Sequence, residues 1–197
     1  MGIKLFIAHP TGRCRVVLRR YEKGACKASG WDRHDAQEIV VDDAAASPRG
    51  ADGFREGSRY AEDFPRDDPR WPGECACGFR FTAGSDFQVN EQEWFTDDHG
   101  GRFPWGIGSW RAPVGAMIRA HWLDGVWPDN GCEPYRIELP NGCEWLTSQP
   151  STQEGSTQNG PQWRVTGKPP LIAVTPSILA HHGVWHGWIR NGELVDA

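Results

Sequence analysis

Frequent glycine and proline residues restrict this chain to short elements joined by turns. The 197-residue sequence contains 24 Gly and 15 Pro, about a fifth of the chain, where average usage is roughly 12%. Between these breakers, apolar residues recur at every second position, which indicates β-strands. No segment has the pattern of an amphipathic helix longer than about three turns. We therefore predict a mostly β protein, a sandwich or rolled antiparallel sheet with long irregular loops.

Turn residues locate the predicted hairpins. Pro10–Gly12 separates alternating segments at Ile3–His9 and Arg13–Tyr21, and Asn-Gly pairs at 141–142 and 191–192 are typical of type I′ turns. The predicted core is a β-sheet built from residues 77–95, 115–123, 135–147 and 162–195.

Composition divides the chain into three predicted parts. Residues 1–41 form an N-terminal hairpin extension, 42–74 an acidic loop or insertion, and 75–197 the β core domain. The polar stretch 148–161 is also expected outside the core, because such segments bury too little apolar area to offset their ordering entropy. The aromatic residues of the insertion are expected to anchor it onto the core or onto a neighbour: Phe54, Tyr60, Phe64 and Trp71.

Charge is distributed unevenly although the chain as a whole is acidic, with a net charge of −5. Residues 1–30 carry seven basic residues and one acid, whereas residues 31–74 carry twelve acids and six Arg. Strand alternation places Arg13, Arg15 and Arg19 on one face. This stripe is either a surface for nucleic acid or a partner, or a face that is solvated or paired with the chain's own acidic segment. The net negative charge favours the second interpretation and makes nucleic acid an unexpected partner.

Membrane insertion and export are not expected from this sequence. No apolar run reaches the ~20 residues that a membrane-spanning helix needs. The segment Ile3–Ala8 is too short for the core of a signal peptide, and arginines follow it.

The C-terminal third carries a family resemblance. The stretches Trp163–Ile178 and Trp185–Gly192, together with Cys75–Phe79 upstream, resemble a family of unknown function found widely in bacteriophage genomes. Some of its members have been mislabelled as ammonia monooxygenases. The resemblance implies a phage source and a compact β fold with a zinc site, and it implies no known activity. The chain differs from the family pattern in having one residue between the two cysteines instead of two, and Trp185 instead of Cys before His186.

The cysteines leave three alternatives open: thiols in a reducing cytoplasm, at least one disulfide such as Cys132–Cys143, or a zinc site. The zinc hypothesis takes Cys75, Cys77 and His186 as ligands, because thiolates and imidazole suit Zn²⁺ and exclude Mg²⁺ and Ca²⁺. The candidates for the fourth position are Cys132, Cys143 and His182; a water there would permit catalysis. The sequence contains six cysteines in all, at positions 14, 26, 75, 77, 132 and 143.

We expect a non-enzymatic bacteriophage protein, a minor virion component that binds other phage structural proteins in the capsid, neck or tail. It would occur in the host cytoplasm and in the virion, and self-association is an open alternative. Tryptophan-rich and glycine-rich loops favour contact surfaces with aromatic anchors. The alternative is a small zinc-dependent enzyme or a host-interaction factor expressed during infection. No Gly-x-Ser-x-Gly motif supports a hydrolase.

Overall fold

A computed structural model describes residues 2–28, 30, 32–48, 58–106, 112–123, 133–147, 163–180 and 185–197. The predicted mostly β fold with antiparallel sheets is confirmed. In the described residues, the helical elements are three single turns of 3₁₀-helix at 61–63, 121–123 and 140–142. The strands are β1 (Ile3–Lys4), β2 (Phe6–Ile7), β3 (His9–Lys23), β4 (Arg33–Ala45), β5 (Asp86–Thr96), β6 (Arg102–Trp105), β7 (Ala116–Arg119), β8 (Tyr135–Glu138), β9 (Glu144–Leu146), β10 (Arg164–Lys168), β11 (Leu171–Thr175), β12 (Ile178–Ala180), β13 (Trp185–Arg190) and β14 (Glu193–Asp196).

The longest strands form one antiparallel sheet in the order β4-β3-β5-β6. The register of the β3–β4 pair shifts at Cys14, Val16 and Val17, which are all buried. Such bulges bend a strand and increase its twist. The β3–β4 hairpin extends to the pair Lys23–Arg33, so the turn between its strands lies far from the bulges.

The N-terminal segment pairs differently from the predicted hairpin. Residues 9–23 form one continuous strand through Pro10 and Gly12, so Ile3–His9 does not fold back on Arg13–Tyr21. Instead, β1 pairs with β14 and β2 pairs with β7. Proline is tolerated within β3 because Pro10 lies near the start of the strand, where the pairing with β5 is interrupted.

The remaining strands enclose a C-terminal core. They form the sheets β1-β14-β13-β12 and β2-β7-β8-β9 and the hairpin β10-β11. The β13–β14 hairpin turns at Asn191 and Gly192, where positive φ angles of 48° and 78° confirm the turn expected from Asn-Gly. At the other Asn-Gly pair, a hairpin also forms between β8 and β9, but a 3₁₀ turn at Pro140–Gly142 joins the strands.

The described part of the acidic insertion, 58–74, lies as a loop against the long sheet, while residues 42–45 belong to β4. Phe64 and Trp71 are buried with Cys14, Val16 and Leu18. The Tyr60 hydroxyl donates a hydrogen bond of 2.8 Å to the Ala45 carbonyl. These three aromatic residues anchor the loop mainly onto β3 and β4, which were predicted to lie outside the core, and Trp71 also contacts Phe87 of β5 edge-to-face at 5.2 Å. Phe54 and the stretch 148–161 lie outside the described residues. The division into three domains stays a prediction.

Among the residues described, no helix has the length and apolar character that a helical membrane crossing requires.

Candidate metal centre

The turn of the long β3–β4 hairpin supplies two side chains of a Cys/His cluster. Cys26 lies in this turn, where its carbonyl accepts a hydrogen bond of 3.0 Å from the Gly30 N–H. His34 follows at the start of β4 and is buried. The imidazole lies against Gly24, whose φ is +148°; a Cβ atom there would come within 3.2 Å of His34 Nε2. Glycine at position 24 therefore provides both the backbone conformation and the space for the ring.

A tight loop between residues 73 and 81 supplies two more side chains, Cys75 and Cys77. The Cys75 N–H donates to the Phe79 carbonyl and the Gly78 N–H donates to the Cys75 carbonyl, both at 2.8 Å. Gly78 has a φ of +88°, which glycine adopts without a steric penalty. The loop is closed by the isolated bridge between Glu74 and Arg80. The chain then continues into β5, which begins at Asp86.

The four side chains converge at one point. One potential ligand atom from each of Cys26, His34, Cys75 and Cys77 lies within 4.8 Å of the others. The sulfur atoms of Cys26 and Cys75 are 3.7 Å apart, and His34 Nδ1 is 3.2 Å from the Cys77 sulfur. Three members are buried and Cys77 is half-buried. Such a cluster of three thiols and one imidazole can hold a metal ion.

Aromatic residues fix the orientation of the cluster. The His34 ring stacks on Phe79 with 4.0 Å between ring centroids and 5° between ring planes. Phe79 in turn contacts Phe81 edge-to-face at 5.7 Å, and Phe81 packs against Cys26 and Cys75. The imidazole is held between Phe79 and Gly24. In this orientation its Nδ1 atom faces the Cys77 sulfur.

Opposing influences act on the pKa of the Cys77 thiol. A hydrogen bond from the Phe79 backbone lowers its pKa, but desolvation and the neighbouring thiols of Cys75 and Cys26 outweigh that effect. The net result is a pKa raised above the ordinary value for cysteine. A bound cation would reverse this balance, because it favours the thiolate form of every sulfur in the cluster.

The structure brings together two of the three predicted zinc ligands, Cys75 and Cys77, and places His186 outside the cluster. His186 lies on β13, where its Nε2 is 3.0 Å from the Ser177 hydroxyl oxygen. Of the candidates for the fourth position, Cys143 is buried in the C-terminal core, where burial raises the pKa of its thiol. Cys132 and His182 lie outside the described residues, and no disulfide joins the described cysteines.

Sequence reasoning missed Cys26 and His34 as partners of the Cys75/Cys77 pair. Seven residues separate Cys26 from His34. Structural zinc sites usually have about two to five residues between neighbouring ligands. The available signal was a Cys and a His close to Gly24 and Gly30, two turn residues that lie between two alternating segments. Recognising it requires the β3–β4 pairing, which the predicted hairpin at Pro10–Gly12 obscured.

Two of the three arginines of the stripe on β3 pair with acidic residues of the neighbouring strand, whereas Arg15 Nε donates a hydrogen bond to Gln92 Oε1 on β5. Arg13 Nε lies 3.2 Å from an Asp43 carboxylate oxygen, and the guanidinium of Arg19 forms a close ion pair with Asp35. Both carboxylates lie on β4, within the acidic segment 31–74. This arrangement matches the second of the two sequence interpretations, in which the chain's own acids neutralise the stripe.

Comparison of the chain with protein-family models, curated proteins and solved structures found no match.

Proposed function

We propose that Cys26, His34, Cys75 and Cys77 bind one zinc ion as a structural site in a non-enzymatic binding protein. The observation that carries this proposal is the spacing of the ligand atoms. Zn–S and Zn–N bonds of about 2.3 and 2.0–2.1 Å in a tetrahedron separate two sulfurs by about 3.8 Å, and a sulfur from a nitrogen by about 3.6 Å. The Cys26 and Cys75 sulfurs are 3.7 Å apart, His34 Nδ1 is 3.2 Å from the Cys77 sulfur, and all four ligand atoms lie within 4.8 Å of one another.

The donor set favours zinc over the hard divalent cations. Thiolates and imidazole are soft to borderline ligands, whereas Mg²⁺ and Ca²⁺ take oxygen ligands. Three cysteines and one histidine are a standard combination for structural zinc. Copper(I) prefers thiolates as well, so the zinc and copper contents of the purified protein must both be measured.

Four protein ligands close the coordination sphere and leave no position for a reactive water. Catalytic zinc sites keep such a position open, usually with three protein ligands. The cluster therefore argues for the structural role and against a zinc-dependent enzyme. Its effect would be to join the turn of the β3–β4 hairpin to the loop 73–81, two segments that lie about 50 residues apart in sequence.

Metal analysis of the protein purified without chelator tests this site. We expect about one zinc per chain, and loss of that zinc in Cys26→Ser and in His34→Ala. Two matched controls come from the same chain: Cys143→Ser removes a buried thiol elsewhere, and His186→Ala removes the histidine that sequence reasoning favoured. Zinc that survives His34→Ala, or disappears in His186→Ala, would contradict the proposed ligand set, and stoichiometric copper would contradict the metal.

We further propose that the chain comes from a bacteriophage and works by binding other phage structural proteins as a minor virion component. The C-terminal resemblance supports the source. An exposed stripe on β12 and β13 supports a binding role: the Leu179 side chain, 57% exposed, lies opposite His186, and the Arg190 guanidinium lies 4.7 Å from the ring centre of Trp188. Tryptophan and arginine are the residues most enriched where binding energy concentrates.

Mass spectrometry of purified particles tests the virion assignment. The expected result is this chain at low copy number in particles, with Trp188→Ala reducing its incorporation while zinc content stays unchanged. Absence of the wild-type chain from particles would overturn the virion proposal and would leave the zinc site untouched, because the two experiments measure different properties.

A further inference from the structure

A cleft of about 540 Å³ lies between the loop 66–71 and the segment 81–83. This segment directly follows the loop that carries Cys75 and Cys77, called the metal loop below. Its volume is within the range of pockets that bind small molecules, roughly 300–1,000 Å³. Two of the residues that line it, Trp71 and Phe81, are aromatic. They are 6% and 9% exposed, so each presents a small part of its surface, against which a flat ring could pack.

Two arginines line the same cleft, and both are held by one turn. Arg20 Nη2 donates a hydrogen bond of 2.9 Å to the Thr82 carbonyl, and Arg66 Nη2 donates one of 3.3 Å to the Ser85 carbonyl. The turn is closed by the Ser85 N–H donating to the Thr82 carbonyl and by the Thr82 N–H donating to Ser85 Oγ. The two guanidinium groups are therefore positioned before any ligand arrives, which reduces the entropy cost of binding.

The two guanidinium groups differ in their surroundings. Arg20 Nε is enclosed by protein and has no hydrogen-bond acceptor among the described residues, so a ligand would meet the other nitrogens of this group. The guanidinium of Arg66 lies 4.8 Å from the ring centre of Phe87, a cation–π contact that holds it in place.

The acidic residues of the cleft do not cancel these charges. Asp68 accepts hydrogen bonds of 2.7–2.9 Å from the backbone N–H, Nε and Nη2 of Arg70. These bonds lower the pKa of Asp68 to about 2, so the carboxylate is ionised and paired with its own arginine at neutral pH. Asp67 is the other acid that lines the cleft, which leaves Arg20 and Arg66 with an excess of positive charge.

We propose that this cleft binds a small aromatic anion. Its carboxylate or phosphate would lie between Arg20 and Arg66, since a guanidinium group can bind either anion through two paired hydrogen bonds. Its ring would pack against Trp71 and Phe81. This ligand site is separate from the zinc site and does not rest on the proposed function, although Phe81 packs against Cys26 and Cys75 as well.

Titration of the full-length protein with phenyl phosphate and with benzoate tests the proposal, with NMR detection of the Trp71 indole N–H. This group donates a hydrogen bond of 2.7 Å to the Pro65 carbonyl, and its signal is assigned by its loss in Trp71→Phe. At least one of the two probes is expected to shift the signal saturably. Inorganic phosphate and benzyl alcohol, which each lack one half of the proposed ligand, are expected to bind at least tenfold more weakly.

Variants separate the two arginines from general charge effects. Arg66→Gln, at an exposed position, is expected to weaken binding about tenfold or more, as loss of a charge-assisted hydrogen bond predicts. Arg66→Lys is expected to lose less, because it keeps the charge. The matched control is Arg80→Gln: its side chain is 86% exposed, it pairs with Glu74 on the metal loop, and it does not line the cleft.

The proposal is overturned by any of three results: no saturable shift with either probe below about 10 mM, equal weakening in Arg80→Gln, or equally tight binding of inorganic phosphate or benzyl alcohol.

Discussion

The metal cluster, defined by Cys26, His34, Cys75 and Cys77, and the C-terminal core differ in how many apolar side chains they bury. The C-terminal core packs fifteen buried hydrophobic residues from eight strands and the segments beside them, among them Met117, Ile137, Ile172 and Ile189 at 0% exposure. Around the cluster of Cys26, His34, Cys75 and Cys77, the buried apolar group among the described residues consists of Cys26, Cys75 and Phe81, with Ala36, Cys77 and Phe79 partly buried against it. The first region has enough apolar area to order itself, whereas the second orders a hairpin turn and a loop with very little.

This difference would give a bound metal a physical task. Ordering a residue costs roughly 1–2 kcal/mol of conformational entropy, and the few buried apolar side chains around the cluster offset less of that cost than the fifteen of the C-terminal core. Structural zinc contributes apparent binding free energies of about 10–16 kcal/mol in zinc-finger peptides at neutral pH. A metal at Cys26, His34, Cys75 and Cys77 would therefore stabilise the region that buries fewer apolar side chains.

The largest expected effect is that of a chelator on the metal region alone. Treatment with a zinc chelator is expected to abolish amide hydrogen-exchange protection in the described residues of 24–34 and in 73–81, because the four ligands would lose the ion that joins them. Protection in β11 and β13 is expected to persist. Hydrogen exchange with mass spectrometry measures both regions in one experiment, and equal loss of protection in both would show that they are not independent.

The converse perturbation is expected to act on the C-terminal core alone. Ile172 is completely buried, so Ile172→Ala should lower the free energy of unfolding by about 2–5 kcal/mol through lost burial and a cavity. Urea denaturation measures the change, and metal analysis of the same sample is expected to give the wild-type zinc content. A folded variant that has lost its zinc would refute the separation of the two regions.

The sequence predicted the two regions unequally, for reasons visible in particular residues. Asn191 and Gly192 encode their turn locally, because both adopt positive φ, and the hairpin they close was predicted correctly. Cys75 and Cys77 were recognisable as a pair from one short segment. Cys26 and His34 reach the same point only through the long β3–β4 pairing, and sequence alone placed the turn at Pro10–Gly12. Residues brought together by local turn chemistry were predictable, whereas those brought together by strand register were not.

A smaller effect is expected from the residue that orients the histidine. Phe79→Ala removes the ring that stacks on His34 at 4.0 Å while leaving all four ligands in place. Loss of a group that orients a metal ligand typically weakens metal affinity about 10–100-fold. Competition with a chromogenic zinc chelator measures the affinity. Phe87→Ala, which removes a partly exposed ring outside the metal cluster, serves as the control and is expected to leave the affinity unchanged.

The smallest effect concerns the reactivity of single thiols, and it compares the two regions residue by residue. Burial raises the pKa of the Cys143 thiol, so less of it is ionised at pH 8 than of an exposed cysteine, and alkylation of the folded protein by iodoacetamide is expected to be slow. The rate should rise with pH as the thiolate fraction grows, and should increase sharply in urea when burial is lost.

Cys77 is half-buried, and zinc would protect its sulfur. Chelation is therefore expected to accelerate the alkylation of Cys77 several-fold and to leave that of Cys143 unchanged. Peptide mass spectrometry after timed labelling resolves the two sites. If chelation accelerates both cysteines equally, the C-terminal core depends on the metal, and the contrast between a metal-stabilised and a burial-stabilised region is wrong.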